Sequence, residues 1–469
     1  MAAIITDQFR RNSASSVLAD ILGTEGNTYY VGIGKTDAWP TSGGFIETDP
    51  DFVTPPPIGS VGDMKEVRNN LMSLLKLDST KSRIIIPNVA WKTGNRHKPY
   101  AANDSACFTP TTVGSVTTYP CYAIADSKIW LCLKSDGSTL SVIPSGQALY
   151  TEFTASTGYT WIAIANVENI ANAPFNTDQF IAVKLDATQY SGGAGQTANN
   201  TTKGRVYGFT IQNGGTGYTS APTAFLVGDG TTSPIPLTIT RTGSVITGVA
   251  FTDANATLGF TNASVRFTVT GGGSGAIIIP NIAPLDGFGP TILNNLPTWF
   301  LGLAADFDGK LIAQDPSGDA QILSYRQISL IKNPTITSTL PDDNTSADAL
   351  KYLVSSAASI DAVTGDVITE VGSGVKAKAF FDSYVYDSGT GTGKLYYHQN
   401  DSDSVNYAKF TTAGGTIYIN SDSGTTYLFS TVNESEYVHN TGEVLFIENR
   451  KPISRNATQK EEIKLVIQF

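Results

Sequence analysis

Apolar residues in this sequence come in short runs, none long enough to do more than cross a sheet. Arg83-Ile84-Ile85-Ile86-Pro87, Lys128-Ile129-Trp130-Leu131-Cys132-Leu133, Tyr159-Thr160-Trp161-Ile162-Ala163-Ile164 and Ala276-Ile277-Ile278-Ile279-Pro280 all have strand length, with Gly, Pro, Ser, Asn or Asp close by. Such spacing specifies many short strands rather than long helices. Charged residues are only 15%, below the usual quarter. Thr, Ser, Asn, 45 Gly, 20 Tyr and 21 Phe take their place, and these residues suit strands and turns. The expectation is a mainly β fold. No run approaches the roughly 18 apolar residues of a membrane helix, so no membrane insertion is expected.

A chain of 469 residues is too long for one ordinary core and suggests about three domains. Two helices are expected near the start. The first is capped by Asn12 or Ser13, carries Val17, Leu18, Ile21 and Leu22, and ends at Gly23. The second has Asp63 as N-cap, Glu66 three residues later, and Val67, Leu71, Leu74 and Leu75 at helical intervals. Residues 1–95 read as a small α/β unit, completed by the terminal strands of 441–469. Residues 96–195 and 286–345 read as a β-sandwich, and 346–440 as a second sandwich-like region. The fold class is therefore a multi-domain β-sandwich architecture with a small α/β N-terminal unit and an inserted module at 196–285. That module is entered through Gly192-Gly193-Ala194-Gly195. It holds a weak repeat: Gly208-Phe209-Thr210-Ile211 through Gly217-Tyr218-Thr219 resembles Gly248-Val249-Ala250-Phe251 through Gly259-Phe260-Thr261. Two copies imply a β module built by duplication, with the Tyr/Phe position packing between copies.

Few residues carry a pattern that points to chemistry. A formal net charge of −10 argues against nucleic acid as a partner, because phosphate binding needs a basic surface. Cys107, Cys121 and Cys132 are odd in number and loosely spaced, which gives neither a disulfide framework nor a metal pair. They read as small buried residues, in keeping with a reducing compartment. The N-terminal residues lack an apolar signal core, so no export signal is expected. His97, His398 and His439 have no partner at metal-ligand spacing. No nucleophile elbow, Walker loop or dinucleotide fingerprint is present. Gly271-Gly272-Gly273-Ser274-Gly275 has no following helix to bind an anion. Asp306-Phe307-Asp308-Gly309 and Asp401-Ser402-Asp403 lack the closing Glu of a calcium loop. No catalytic residue, cofactor or metal is expected. The aromatic residues leave two readings open, core packing and the stacking of sugars.

Several segments, in order along the chain, carry a resemblance. They are Gln8-Phe9-Arg10; Asn27-Thr28-Tyr29-Tyr30-Val31-Gly32-Ile33-Gly34 leading to Trp39; Val61-Gly62-Asp63-Met64; and Ile84-Ile85-Ile86-Pro87-Asn88-Val89-Ala90-Trp91. Further on come Gly158-Tyr159-Thr160-Trp161 and Tyr325-Arg326-Gln327-Ile328-Ser329-Leu330-Ile331-Lys332-Asn333-Pro334. The last are Glu443 through Ile447, Glu448-Asn449-Arg450-Lys451-Pro452, and Glu461 through Leu465. Together they resemble the homodimer-forming baseplate wedge subunit of T-even-like contractile-tailed bacteriophages. The similarity covers about a third of the chain; the glycine-rich repeat and much of 335–440 are additions to the family pattern. The resemblance implies a mostly β structural protein of the virion tail, assembled in the bacterial cytoplasm. It also implies a homodimer with contacts to other wedge proteins, including peripheral fibre-bearing components, and no cofactor. The alternative is a receptor- or glycan-binding tail protein. Arg450 has two open readings: a pair with a carboxylate across a domain or subunit boundary, or an intramolecular turn holding the terminal strands.

Overall fold

A computed structural model describes residues 5–23, 25–102, 105–140, 142–154, 158–167, 175–183, 203–251, 258–268, 272–284, 287–288, 292–307, 324–337, 347–400, 405–411, 414–420, 425–453 and 461–469. The entry segment 192–195, Gly271, Asp308-Gly309 and Asp401-Ser402-Asp403 lie outside them. The protein is mainly β, with two α-helices, Asp7–Ile21 and Val61–Asn69, among the described residues. It divides into two compact units. One comprises Val17–Ser82 and Leu303–Leu465; the other comprises Met1–Ser16, Arg83–Gly302 and Val466–Phe469.

The first unit contains an antiparallel five-stranded sheet. Its order is Ala347–Asp348, Leu71–Lys76, Tyr29–Gly34, Tyr325–Lys332 and Glu443–Ile453. Tyr325–Lys332, grouped from sequence with the 96–195 sandwich, instead lies beside Tyr29–Gly34. The second helix is shorter than its apolar spacing suggested. Ser60, not Asp63, is the N-cap, and Asp63 at N3 closes the capping box. The helix stops at Asn69, and Leu71–Lys76 is a strand with Leu71 to Leu75 all buried. A strand covered on both faces loses its two-residue alternation, so its leucines can mimic a helical period. Val67 and Leu74 then meet Tyr30, Ile331, Tyr437 and Val444 in one core.

The same unit carries a closed barrel where a sandwich was expected. Its strands run Lys351–Ser355, Thr392–His398, Lys378–Asp387, Val367–Glu370, Gly415–Ile419 and Thr426–Asn433. Closure comes from the first strand pairing with the last, Leu353 opposite Val432. Closing a small sheet removes its open edges. Leu353, Ile368, Phe381, Leu395, Phe410 and Phe429 fill the interior.

In the other unit, Tyr122–Ala125, Lys128–Lys134, Thr160–Asn166 and Glu152–Thr154 form a sheet with two buried faces. Ile129, Leu131 and Ile162 point into one core, while Trp130, Cys132, Trp161 and Ala163 point into another. The glycine-rich module pairs Val206–Thr216 with Ser274–Ile282. Beside that ribbon it builds a four-stranded sheet ordered Val245–Phe251, Ile235–Thr242, Thr223–Gly228 and Ala263–Thr268. Its two copies interlock. A methyl group added to Gly273, after the second copy's strand, would lie 2.3 Å from the Tyr218 ring of the first copy. One added to Gly230, after the first copy's strand, would lie 2.4 Å from the Phe260 ring of the second. Each aromatic thus lies against a glycine of the other copy, and both rings are buried in the module's core.

Candidate functional site

A buried polar constellation begins where Tyr29–Gly34 ends. Gly34 approaches the neighbouring backbone so closely that an added Cβ would meet the Asn70 carbonyl at 2.2 Å. The register also slips between Ile33 and Gly34. The next residue, Lys35, takes the left-handed conformation at φ 64°, costly for a residue with a side chain and held here by its N–H bond to the Asn70 carbonyl at 2.9 Å. This sharp turn delivers Lys35, Thr36 and Asp37 together.

The barrel supplies the other half. Pairing between Lys378–Asp387 and Thr392–His398 shifts register between Phe381 and Ser383, so Asp382 is the extra residue of a bulge. Bulges re-aim side chains, and this one turns Asp382 onto His398. His398 Nδ1 lies 2.8 Å from Asp382 Oδ1, and its Nε2 lies 2.8 Å from Asp37 Oδ2. The Thr36 hydroxyl donates to the same Asp382 oxygen at 2.5 Å. Burial alone would lower the His398 pKa, but the Asp382 charge and the hydrogen bonds the ring donates to Asp37 and Asp382 outweigh it and push it up to about 10. Burial likewise disfavours the Asp37 carboxylate. The His398 hydrogen bond and charge, with Lys35 and Arg326 nearby, still hold it below the usual carboxylate range.

This arrangement resembles a hydrolytic triad only superficially. A general base needs one free ring nitrogen and a pKa near the working pH. Here both nitrogens are committed to carboxylates and the ring is an imidazolium at neutral pH. Thr36 donates to Asp382 instead of to the imidazole, so it is not activated as a nucleophile. The chemistry available is electrostatic: one buried cation bridges Asp37 of the turn to Asp382 of the barrel.

A second ion pair lies beside it. Arg326 grips Glu47 through two nitrogens, with Nε to Oε2 at 2.6 Å, and its third nitrogen donates to the Thr36 carbonyl at 2.5 Å. Both side chains are nearly buried, and such a planar fork is the geometry in which Arg is irreplaceable by Lys. The Arg326 hydrogen bonds hold the Glu47 carboxyl below its ordinary value. Glu47 also accepts from the Trp39 backbone N–H at 3.0 Å, while Trp39 Nε1 donates to the Arg450 carbonyl at 2.7 Å. Lys35 lies over the Trp39 ring and pairs with Glu66 at 2.8 Å. Gln327 donates to Asn449, which donates to the Pro55 carbonyl, each at 2.8 Å.

Of the residues marked by sequence, Trp39, Arg326, Gln327, Asn449 and Arg450 therefore converge. Arg450 contributes its carbonyl to Trp39, and its guanidinium pairs with Glu448 at 2.7 Å, a half-exposed contact within one strand. Tyr325 and Pro452 lie at the far end of that strand pair, where Tyr325 faces Ile453. Asn333 and Pro334 sit at the opposite end. Asn333 takes a left-handed φ of 52° and accepts from the Thr28 N–H at 2.8 Å, while an added Cβ on Gly442 would meet Pro334 at 3.1 Å. Glu443 faces Lys332 nearby. Trp91, Tyr159 and Trp161 belong to the other unit. Tyr159 and Trp161 stack at 5.8 Å and Trp91 packs on the same core.

His97 is buried against the Pro120 carbonyl, and burial lowers its pKa. Burial, then Lys351, lowers His439 to about 4. The three cysteines are buried. Asp37, Glu47, Asp382 and His398 were not singled out together from sequence. Their only local signal is the carboxylate at a bulge, and a bulge is not visible until strands pair.

Among the described residues no group of His, Cys, Asp and Glu could hold a metal ion, and no helix is long and apolar enough to cross a membrane. Compared with models of known protein families and with curated proteins, the sequence matches none.

Proposed function

We propose that this chain is a structural subunit of a contractile phage tail baseplate wedge. It works through homodimer and wedge contacts, in assembly and tail contraction, and carries out no catalysis. The observation that supports this best is convergence. Segments resembling the wedge family, Asn27 to Trp39, Tyr325 to Pro334 and Glu443 to Pro452, are adjacent strands of one sheet. They are joined to Glu47 and Pro55 by the buried network around Arg326 and Asn449. These three segments therefore form one hydrogen-bonded frame, which suits a structural part better than a reaction site. His398 is spent in the same way, on two carboxylates.

A surface of the right character lies on that frame. Phe45, Ile46, Val53, Ile58 and Val61 are all exposed, three of them by more than 70%. Exposed apolar groups gathered in one segment mark protein contacts. The segment is tied to strand Glu443–Ile453, since Lys451 donates to the Asp49 and Pro50 carbonyls at 3.0 and 2.9 Å. It is the proposed contact with a second copy.

Electron microscopy of virions decorated with gold-conjugated antibody against this chain tests the assignment. Label is expected at the tail's distal plate. Label confined to the capsid or to distal fibres overturns it.

A further inference from the structure

We propose that the junction between the glycine-rich module and the double-faced sheet is a saccharide-binding cleft, a role that goes beyond the structural one. The cleft measures about 330 Å³ and is lined by Lys134 and Glu152 from the sheet, and by Arg205, Tyr207, Phe209 and Phe251 from the module. That volume falls within the range of small-molecule sites.

Its chemistry is divided in a way that few ligands match. Among its lining residues, Phe209 and Phe251 are half-buried with ring centroids 4.9 Å apart. They pack against the module's core and also line the cleft. The same lining includes a polar group that is already organised. Glu152 Oε1 accepts from Tyr207 Oη at 2.9 Å and from Arg205 at 3.2 Å. The Arg205 guanidinium lies 4.9 Å over the Tyr207 ring. The carboxylate and guanidinium remain about one-third exposed, and Lys134 adds a further donor at the rim.

A sugar ring has this same division. One face is a sheet of C–H groups that packs on an aromatic ring. Its edge carries adjacent hydroxyls that donate to a planar carboxylate and accept from a planar guanidinium. An apolar ligand would leave the Glu152–Arg205 pair desolvated, and a phosphate would be repelled by Glu152. Because Tyr207 and Arg205 fix the carboxylate in advance, little ordering is required on binding. The partial exposure of the pair favours a weak, reversible site.

The test is saturation-transfer NMR on the full chain with glucose, galactose, mannose, N-acetylglucosamine, maltose and lactose, each at about 10 mM to detect millimolar affinity. At least one sugar is expected to receive saturation. Glu152→Gln removes the charge, and Phe251→Leu keeps an apolar side chain in the module. Each should weaken that binding about tenfold or more with circular dichroism unchanged. No transfer to any of the six sugars overturns the proposal. So does transfer that persists undiminished in both variants.

Discussion

Replacing His398 by alanine is expected to loosen the barrel-bearing unit by about 3–5 kcal/mol, the range seen when one partner of a buried ion pair is removed. The reason is the pair of carboxylates left behind. Asp37 and Asp382 each accept from the imidazolium at 2.8 Å, and without it two negative charges share a site where water is scarce. Hydrogen exchange of amides in Lys378–Asp387 and Thr392–His398 reads this directly, because local opening is measured segment by segment. The loss has a defined pH window. His398 is raised from 6.5 to about 10 in the folded chain. Its contribution is therefore complete below 6.5 and fades as pH rises through about 10. Asp37 is depressed below 3.8, so its contribution is present above that value and is lost as pH falls through the folded pKa. The gap between wild type and His398→Ala should be widest from about pH 4 to 6.5, narrow by pH 10 and narrow again in acid. A gap independent of pH would mean that the ring acts by packing alone.

Phe260→Ala is expected to cost about 3–5 kcal/mol, as for other buried aromatics, with the loss confined to the glycine-rich module. Phe260 is fully buried. Its backbone N–H donates to the Gly204 carbonyl at 3.0 Å, and its ring lies against Gly228 and Gly230. Truncation opens a cavity on the module's interlocking contact, and the glycine opposite has no side chain with which to fill it. Gly230→Val tests the same contact from the other side, by overpacking that costs about 1–3 kcal/mol. Amides of Thr223–Gly228 and Ala263–Thr268 should lose protection in both variants, while those of the barrel keep theirs. Loss spread evenly over both units would contradict the separate core assigned to the module.

The module was legible in the sequence because its information is local. A glycine, an aromatic and a threonine recur before each strand, and both aromatic rings lie in one core. Strands such as Lys128–Lys134 were legible for the same reason. The barrel's closure was not, since it depends on Leu353 meeting Val432, and short alternating strands suit a sandwich equally well. Helix Val61–Asn69 was overextended because Leu71, Leu74 and Leu75 are buried by a central strand whose two covered faces erase the period of two. The His398 site draws on residues 361 and 346 positions apart. No window of sequence contains it. Arg326 and Asn449 were visible as members of a pattern, yet Glu47, the charge that makes Arg326 stable, was not.

Sedimentation equilibrium of the purified full chain at micromolar concentration tests most directly whether the molecule works as a self-fitting building piece. The account predicts a dimer, in which Ile58 and Val61 are covered by a second copy. A monomer at every concentration, with those side chains still open to solvent, would contradict it.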